Sequence, residues 1–328
     1  MAENRKTTDH IRKGLAFERP LLEMEQKIQE LRGLSVSTHL DLNGEVVALE
    51  ERLLKQTQEV YSNLTAWERV NVARHPDRPL TSDYIELMLD DFTELCGDRL
   101  FRDDRAIVTG LASVQGVRFM LVGHRKGKSV KDRLACNFGC AHPEGYRKAL
   151  AKMRLAEKLK LPVVTIINTP GAYPGIGAEE RGQASAIAVN ILTMFSIKVP
   201  IVAIVIGEGG SGGALGIGIG DRVGMLEHAY YSVISPEGCA AILWKSGEKA
   251  PEAAEALNLT SKDLLRLGLV DGVIEEPLGG AHRDVGKTIQ AVRQQILGWL
   301  EELRGIPTDQ LLEQRFQKFR HMGMPVGA

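Results

Sequence analysis

The stretch GEGGSGGALGIGIGD, from Gly207 to Asp221, holds eight glycines in fifteen residues and follows the apolar run VPIVAIVI directly. Glycine loses more conformational entropy on folding than any other residue, so such a run indicates that the backbone itself must approach something closely. Three kinds of chemistry fit this pattern. They are a phosphate cradle, a serine nucleophile on a sharp turn, and backbone amides that donate to a developing oxyanion.

The first two kinds of chemistry each meet a difficulty. A dinucleotide-binding GxGxxG pattern would place Glu208 inside an electropositive phosphate cradle, which disfavours this interpretation. A GxSxG pattern makes Ser211 a nucleophile, and Asp271 and His282 follow it in the chain order of a serine hydrolase. Serine is also a common small residue in glycine runs, and Asp271 lies in the turn-like sequence VDGV. The hydrolase therefore stays open as an alternative.

The third kind of chemistry explains the number of glycines without a nucleophile. Backbone N–H groups at the start of a helix can converge on an oxygen that gains negative charge when no side chain obstructs them. The dipole of the helix adds to their effect. Interpreted in this way, the glycine run predicts acyl or enolate chemistry.

Alternating strands and helices place the glycine run at one edge of a sheet. Ala106 to Arg125 predicts a hairpin around Gln115 and Gly116. The order that follows is a helix over Pro143 to Lys160, the strand LPVVTIIN, a helix over Ala178 to Phe195, and the strand VPIVAIVI, which indicates a largely parallel sheet. Each of the two strands opens into a glycine-containing loop. Because ligands bind beyond the carboxyl ends of such strands, we expect both loops to line one site.

The composition argues against several classes of partner and site. The chain has 328 residues and a net charge of −1, with acids and bases interspersed, so it offers no broad surface for nucleic acid or an anionic membrane. The charged start MAENRKTTDHIRKG lacks the apolar core of a signal peptide, and no apolar run has the ~18 residues of a membrane span, so we expect a cytoplasmic protein. Cys136, Cys140 and His142 lack a fourth zinc ligand, so no metal is expected in this chain.

The chain divides into three segments by its apolar spacing and its prolines. Apolar residues at helical spacing from Leu21 to about Val72 predict two or more helices, and the proline-containing stretch RHPDRPLTSDY marks a boundary after them. We expect a helical arm over 1–80, an α/β domain over 81–305, and a C-terminal helix and tail over 306–328.

Several longer motifs resemble one known family. They are CNFG at Cys136, PEGYRKAL at Pro143, TPGAYPGIGAEERGQ at Thr169, GEGGSGGAL at Gly207, YSVISPEGCAAILWK at Tyr231 and EPLGGAHRD at Glu276. Together they resemble the carboxyltransferase α subunit of the multisubunit bacterial and plastid acetyl-CoA carboxylase, from roughly Leu21 to the C-terminus. The resemblance implies the crotonase-like (ClpP/crotonase) fold, a superhelix of ββα units.

The resemblance also implies an activity and a set of partners. The implied reaction transfers CO2 from carboxybiotin, presented on a separate biotin carboxyl carrier protein, to acetyl-CoA, which gives malonyl-CoA for fatty acid synthesis. A carboxyltransferase β subunit that carries zinc and most of the CoA site completes the active site, in a tetramer of two α and two β chains. Biotin carboxylase joins the larger complex.

The family motifs assign roles to residues of both glycine loops. The amides of Gly212 and Gly213 are the implied donors to the ureido oxygen of biotin. Arg181 is expected to hold the carboxylate of carboxybiotin or malonyl-CoA, with an ion pair to Glu179 or Glu180 as the alternative. The other expected binding residues shape the biotin pocket, with the tyrosine as a possible wall: Gly171, Ala172, Tyr173, Gly175, Gly177, Gly209 and Gly210.

A basic run precedes these loops. It contains Arg125, Lys126, Lys128, Lys131 and Arg133. Two interpretations remain open: the run reaches CoA phosphates or an acidic carrier, or it is simply a solvated face.

Overall fold

The computed structural model describes residues 14–38 and 40–323. In these residues the strands form a single mixed sheet in the order β1-β2-β3-β4-β5-β6-β8, and β7 pairs with the end of β5. The strands are β1 Asp91–Glu94, β2 Ile107–Val114, β3 Val117–His124, β4 Val163–Thr169, β5 Ile201–Gly210, β6 Arg222–Leu226, β7 Tyr230–Ser232 and β8 Gly272–Ile274. The pairs β1–β2 and β2–β3 are antiparallel, and the pairs from β3 onward are parallel.

Helices cover the sheet and extend from it at both ends of the chain. They are α1 Arg19–Thr38, α2 Asn43–Ser62, α3 Ala66–Ala73, α4 Thr81–Met88, α5 Val130–Ala135, α6 Pro143–Leu159, α7 Ile176–Glu180, α8 Gln183–Met194, α9 Ser211–Leu215, α10 Pro236–Trp244, α11 Ala250–Ala256, α12 Ser261–Arg266, α13 Val285–Arg304 and α14 Thr308–His321. Short 3-10 segments occur at Ala16–Glu18, Asn137–Gly139 and Gly247–Lys249. In the described part of the chain, no helix combines the length and the apolar character that a membrane crossing requires.

The predicted hairpin is confirmed. Strands β2 and β3 pair up to Val114 opposite Val117, and the two residues between them have positive φ angles, 49° at Gln115 and 78° at Gly116. Two consecutive positive φ angles match the twist of the flanking strands, which is why such turns close tight hairpins.

The two central strands are buried along their whole length. Every residue of β4 and β5 is buried, as expected for parallel strands that are covered on both faces. The glycine run, however, is not entirely a loop. β5 continues through Gly207 to Gly210, because Gly209 pairs with Thr169 on one side and with Tyr231 on the other. The loop geometry predicted for this stretch was therefore partly wrong.

The helix expected over Ala178 to Phe195 is divided into α7 and α8. The break lies at Arg181 and Gly182, and Gly182 has a φ of 78°. This left-handed conformation costs a glycine little, whereas any other residue type would be strained there. The first part of the sequence AEERG therefore ends a short helix, and its arginine lies at the turn.

The arm is fastened to the sheet domain by a buried ion pair. Arg78, which follows α3, donates from Nη1 to the Glu276 carboxylate at 2.9 Å and from Nε to the Ile206 carbonyl at 2.8 Å. The side chains of Arg78 and Glu276 are 2% and 0% exposed. Because a buried charge is stable only when it is paired, this contact fixes the position of the chain that leads from the arm into α4.

The C-terminal helix α14 is held by a second buried arginine. Arg315 is fully buried and donates through Nε and Nη2 to both oxygens of Asp221, at 2.9 and 2.7 Å. Its remaining N–H groups donate to the carbonyls of Met194, Ile197 and Val199. This single side chain joins α14 to the end of α8 and to the segment that leads into β5.

Substitution of Arg315 should destabilise the whole domain. We expect Arg315→Met to lower the free energy of unfolding by about 3–5 kcal/mol, because Asp221 and the carbonyl groups remain buried without their partner. Urea denaturation followed by circular dichroism measures the change. The control is Arg320→Gln on the exposed face of the same helix, with an expected change within about 0.5 kcal/mol. Equal stability of the two variants would contradict this role for Arg315.

Candidate functional site

The two glycine-containing loops meet at the carboxyl ends of β4 and β5. A Cβ on Gly210 would lie 2.2 Å from the carbonyl oxygen of Pro170, and one on Gly213 would lie 2.5 Å from the carbonyl carbon of Gly171. No real Cβ tolerates such distances, so the contact requires glycine at both positions. Gly209 is similarly confined, since its Cβ would lie 2.8 Å from the ring of Tyr231. Much of the glycine run therefore serves the approach of one chain segment to another.

Gly212 differs from Gly209, Gly210 and Gly213 because a Cβ at its position would make no contact shorter than an ordinary van der Waals distance. The closest atom to a Cβ at this position is Cδ1 of Ile187, at an ordinary contact distance of 3.7 Å. Gly212 and Gly213 both lie in the first turn of α9, where amide N–H groups have no acceptor within the helix. The structure thus presents free donors beside a position that has no side chain.

The loop after β4 is ordered by one aromatic stack. Tyr173 lies 4.1 Å, centroid to centroid, from the ring of His142, and its amide donates to the carbonyl of Ala141 at 3.0 Å. A Cβ on Gly175 would lie 2.4 Å from Cε1 of Tyr173, whereas one on Gly171 would meet nothing within 4 Å. Ala172 is half-buried against the core, and Gly177 lies beside Nη1 of Arg181. The expected pocket residues are therefore brought together, but their contact with a ligand stays a prediction.

Arg181 pairs with a glutamate that the sequence did not suggest. Its Nε and Nη2 donate to the two carboxylate oxygens of Glu144, at 3.2 and 3.0 Å, and its guanidinium lies 4.8 Å from the ring centroid of Phe101. Burial raises the pKa of Glu144, but hydrogen bonds from Arg181 and Arg102 outweigh it and lower the pKa below its ordinary value. Glu144 is therefore the ion-pair partner of Arg181, in place of the expected alternatives Glu179 and Glu180.

Glu208 is the centre of a charge network beneath the same loops. Nε of Arg74 donates to it at 2.7 Å, the hydroxyl of Tyr230 donates at 2.8 Å, and Nζ of Lys126 donates to its other oxygen. Burial raises the pKa of the carboxyl, but the charges of Lys126 and Arg74 lower it to about 2. The cations are 134 and 82 residues away in the chain. No local pattern could have linked them to Glu208.

The serine hydrolase alternative is wrong. Asp271 accepts from the amide of Val223 at 2.6 Å and from Nζ of Lys318 at 2.8 Å. His282 lies in another cluster, where its Nε2 is 3.3 Å from Glu18. The three residues follow the chain order of a catalytic triad, but the fold does not bring Asp271 and His282 together around Ser211.

One group of side chains in the described residues has the composition of a metal site. Possible ligand atoms of Glu18, His75 and His282 lie within 4.8 Å of one another. The two rings are stacked, with centroids 3.8 Å apart, and Glu18 already accepts from the hydroxyl of Tyr61 at 2.7 Å. An ion must lie in the plane of each ring that binds it, which two nearly parallel stacked rings do not allow at one point. The cluster is thus a contact between the arm and the segment before α13.

The fold is that of crotonase-fold carboxyltransferases. Transcarboxylase 12S with methylmalonyl-coenzyme A and methylmalonic acid bound aligns with a TM-score of 0.56 and 22% identity over 69% of this chain and 42% of that chain. The β subunit of geranyl-CoA carboxylase from P. aeruginosa aligns with a TM-score of 0.53 and 18% identity over 71% of this chain and 49% of that chain. The expected fold class is confirmed.

Residues 14–323 match the family described as acetyl co-enzyme A carboxylase carboxyltransferase-like, and the chain belongs to this family. It is 54% identical over 312 residues to the acetyl-coenzyme A carboxylase carboxyl transferase subunit alpha of Rhodopirellula baltica, which covers 95% of this chain and 97% of that protein. The subunit of the same name from Geobacter metallireducens is 52% identical over 308 residues, or 94% of this chain and 96% of that protein.

The Glu208 network should be visible in the pH dependence of stability. Because the pKa of Glu208 lies near 2 in the fold, against an ordinary value of 4.5, its carboxylate stabilises the fold above about pH 4.5 and loses this effect as the pH falls towards 2. We expect Glu208→Gln to be less stable than the wild type by a constant amount above about pH 5, and the difference to shrink below it.

Chemical denaturation at a series of pH values measures this difference. The control is Glu301→Gln, at a side chain that is 67% exposed, and we expect it to change stability little at any pH. A Glu208→Gln difference that stays constant as the pH falls towards 2 would show that the surrounding cations do not hold the carboxylate ionised.

Proposed function

We propose that this chain is the α half of a biotin-dependent carboxyltransferase that forms malonyl-CoA from acetyl-CoA. The observation that carries the proposal is the family match over residues 14–323, supported by curated relatives of nearly equal length. The site agrees with it, because α9 offers backbone donors at its start, and the described residues do not assemble Asp271 and His282 around Ser211. A reaction that stabilises a developing oxyanion needs such donors and not an assembled nucleophile.

The amides of Gly212 and Gly213 are the proposed donors. An oxygen that gains negative charge near the first turn of α9 would accept from them, and the aligned peptide groups of the helix would add to the stabilisation. When bound, carboxybiotin from the carrier protein supplies the CO2 for the transfer. The position of Gly212 fits the approach of such a group, because a Cβ there would meet only Ile187 among the described residues outside its own helix, at 3.7 Å.

Arg181 and the loop after β4 are the proposed walls of this pocket. Glu144 holds the Nε and Nη2 side of the Arg181 guanidinium, which leaves Nη1 for a ligand carboxylate. Tyr173, fixed by its stack on His142, supplies a rigid face beside it. Gly171 and Ala172 form the floor where the loop touches Gly213. In this arrangement Glu144 acts as the group that orients Arg181.

The second half of the active site is proposed to come from a β subunit. The glycine amides at the start of α9 are assigned to one oxyanion, and no second set is assigned to the thioester oxygen of acetyl-CoA, which needs donors of its own. Exposed apolar side chains on and before α10 fit a protein interface: Val233 is 76%, Ile242 71% and Leu243 65% exposed. We infer an assembly of two α and two β chains in which the β chain carries the zinc, served by the biotin carrier and biotin carboxylase.

A side chain at position 212 should block the reaction without unfolding the chain. We expect Gly212→Val to lower kcat for malonyl-CoA formation by roughly 10²-fold, the scale of losing one oxyanion donor. The assay uses the chain together with its β partner, and a thermal melt checks that the variant is folded. Ser211→Ala is the matched control and should retain most of the activity. Normal turnover by folded Gly212→Val would remove the first turn of α9 from the mechanism.

The isolated chain should be inactive. We expect no malonyl-CoA from carboxybiotin and acetyl-CoA with the purified chain alone, and turnover on addition of β. Product is measured by liquid chromatography, and mass spectrometry establishes that the α preparation is free of β. Robust turnover by the α chain alone would place the thioester donors within this chain and overturn the shared site.

A further inference from the structure

A cavity of about 230 Å³ lies beside the glycine loops, and none of the residues assigned above to the carboxyl transfer lines it. It opens at the carboxyl ends of β3, β4 and β5, between the loop after β3 and the segment after α3. The residues that matter for its chemistry are Arg74, Lys126, Arg133, Phe138, Asn168 and Glu208. This is the edge of a parallel sheet at which ligands bind.

The charges in the cavity wall do not cancel. Arg74 forms ion pairs with Glu208 and Glu237, and Lys126 forms an ion pair with the same Glu208. Arg133 lines the same cavity and is half-buried, yet its guanidinium has no hydrogen bond or ion pair with any described residue. A partly buried charge without a partner is costly, so this one cation marks a place for a negative group from outside the chain.

The position of Arg133 is fixed by close backbone packing. A Cβ on Gly127 would lie 2.4 Å from the carbonyl carbon of Asp132, so the loop after β3 lies directly on the backbone of α5. Ser129 caps this helix by accepting from the Asp132 amide at 3.1 Å. The cation therefore projects from a short but well-anchored helix, which limits the entropy lost when it binds a ligand.

Two further donors face the same space. Lys126 has three N–H groups, and in the described residues its ammonium makes a hydrogen bond to Glu208 alone. The Oδ1 atom of Asn168 accepts from the amide of Glu208 at 3.1 Å, which leaves the Asn168 amide nitrogen as a donor.

Phe138 adds an apolar wall to the cavity. The residue has a φ of 55° and its side chain is 52% exposed. A large aromatic side chain that remains exposed beside a cavity offers a contact surface to a ligand.

We propose that this cavity binds the oxyanion group, phosphate or carboxylate, of a small-molecule ligand, with Arg133 as the principal contact. Lys126 and Asn168 donate to the same group, and the ring of Phe138 packs against the part of the ligand that carries it. Arginine suits this role because its planar fork matches both carboxylate and phosphate oxygens. A bound oxyanion would give Arg133, the member of the basic run that lines this cavity without an acidic partner, its missing counter-charge.

Binding to the purified chain tests the site without any turnover. The probes are coenzyme A, which carries phosphates, and malonate, which carries carboxylates, each titrated by calorimetry at constant ionic strength because screening changes charge contacts. We expect at least one probe to bind the wild type, and Arg133→Gln to weaken it roughly 10-fold or more, the scale of a lost charged hydrogen bond. The probe that loses affinity identifies the phosphate or the carboxylate as the natural group.

The matched control is Lys131→Gln, which removes the same charge from an exposed position on the same helix. It should bind the probe as the wild type does. The site is overturned if neither probe binds the wild type, or if Arg133→Gln and Lys131→Gln bind equally well. Because the β chain is absent, these results are independent of malonyl-CoA formation, so failure of the site and failure of the proposed function are distinguishable.

Discussion

The close approach of two backbone segments, with no side chain between them, is the constraint on which the site depends. The backbones of Gly210 and Gly213 approach those of Pro170 and Gly171 so closely that even a methyl side chain on either glycine would clash. This contact brings the loops after β4 and β5 together and places the first turn of α9 at the edge of the sheet. If the segments were held apart, the amides of Gly212 and Gly213 would no longer lie beside the loop that is expected to bind the ligand.

Buried carboxylates hold the surrounding elements to this centre. Glu208, Glu144 and Asp221 are each paired with at least one arginine from a distant part of the chain. Removing a charge from water is unfavourable, and each pairing is stable because several hydrogen bonds satisfy the carboxylate at once. Such pairs tolerate little displacement, so they define where the segment after the arm, the turn after α7 and the C-terminal helix must lie. As a consequence, loss of one partner leaves the other as an unpaired buried charge, which is strongly destabilising.

The basic run illustrates how a surface pattern changes its meaning in the fold. Arg125, Lys126 and Lys128 pair with Glu94, Glu208 and Asp83, so three of its cations are already neutralised. Lys131 is exposed and Arg133 lines a cavity without a partner. Neither a uniform anion-binding surface nor a simple solvated face describes the result. The function of each cation is decided by what the neighbouring loops bring to it.

The sequence by itself determined the hairpin, the two buried strands, the helix that begins at Pro143 and the family, because periodicity, turn residues and long motifs are local properties. It did not determine that β5 extends to Gly210, since that depends on pairing with Thr169 and Tyr231 on both sides. Nor could chain order distinguish a catalytic triad from three unrelated residues. Tertiary structure alone decided the partners of Glu208 and Arg181 and placed Arg133 at a cavity, because contacts between residues far apart in the chain exist only after the sheet has placed its loops together.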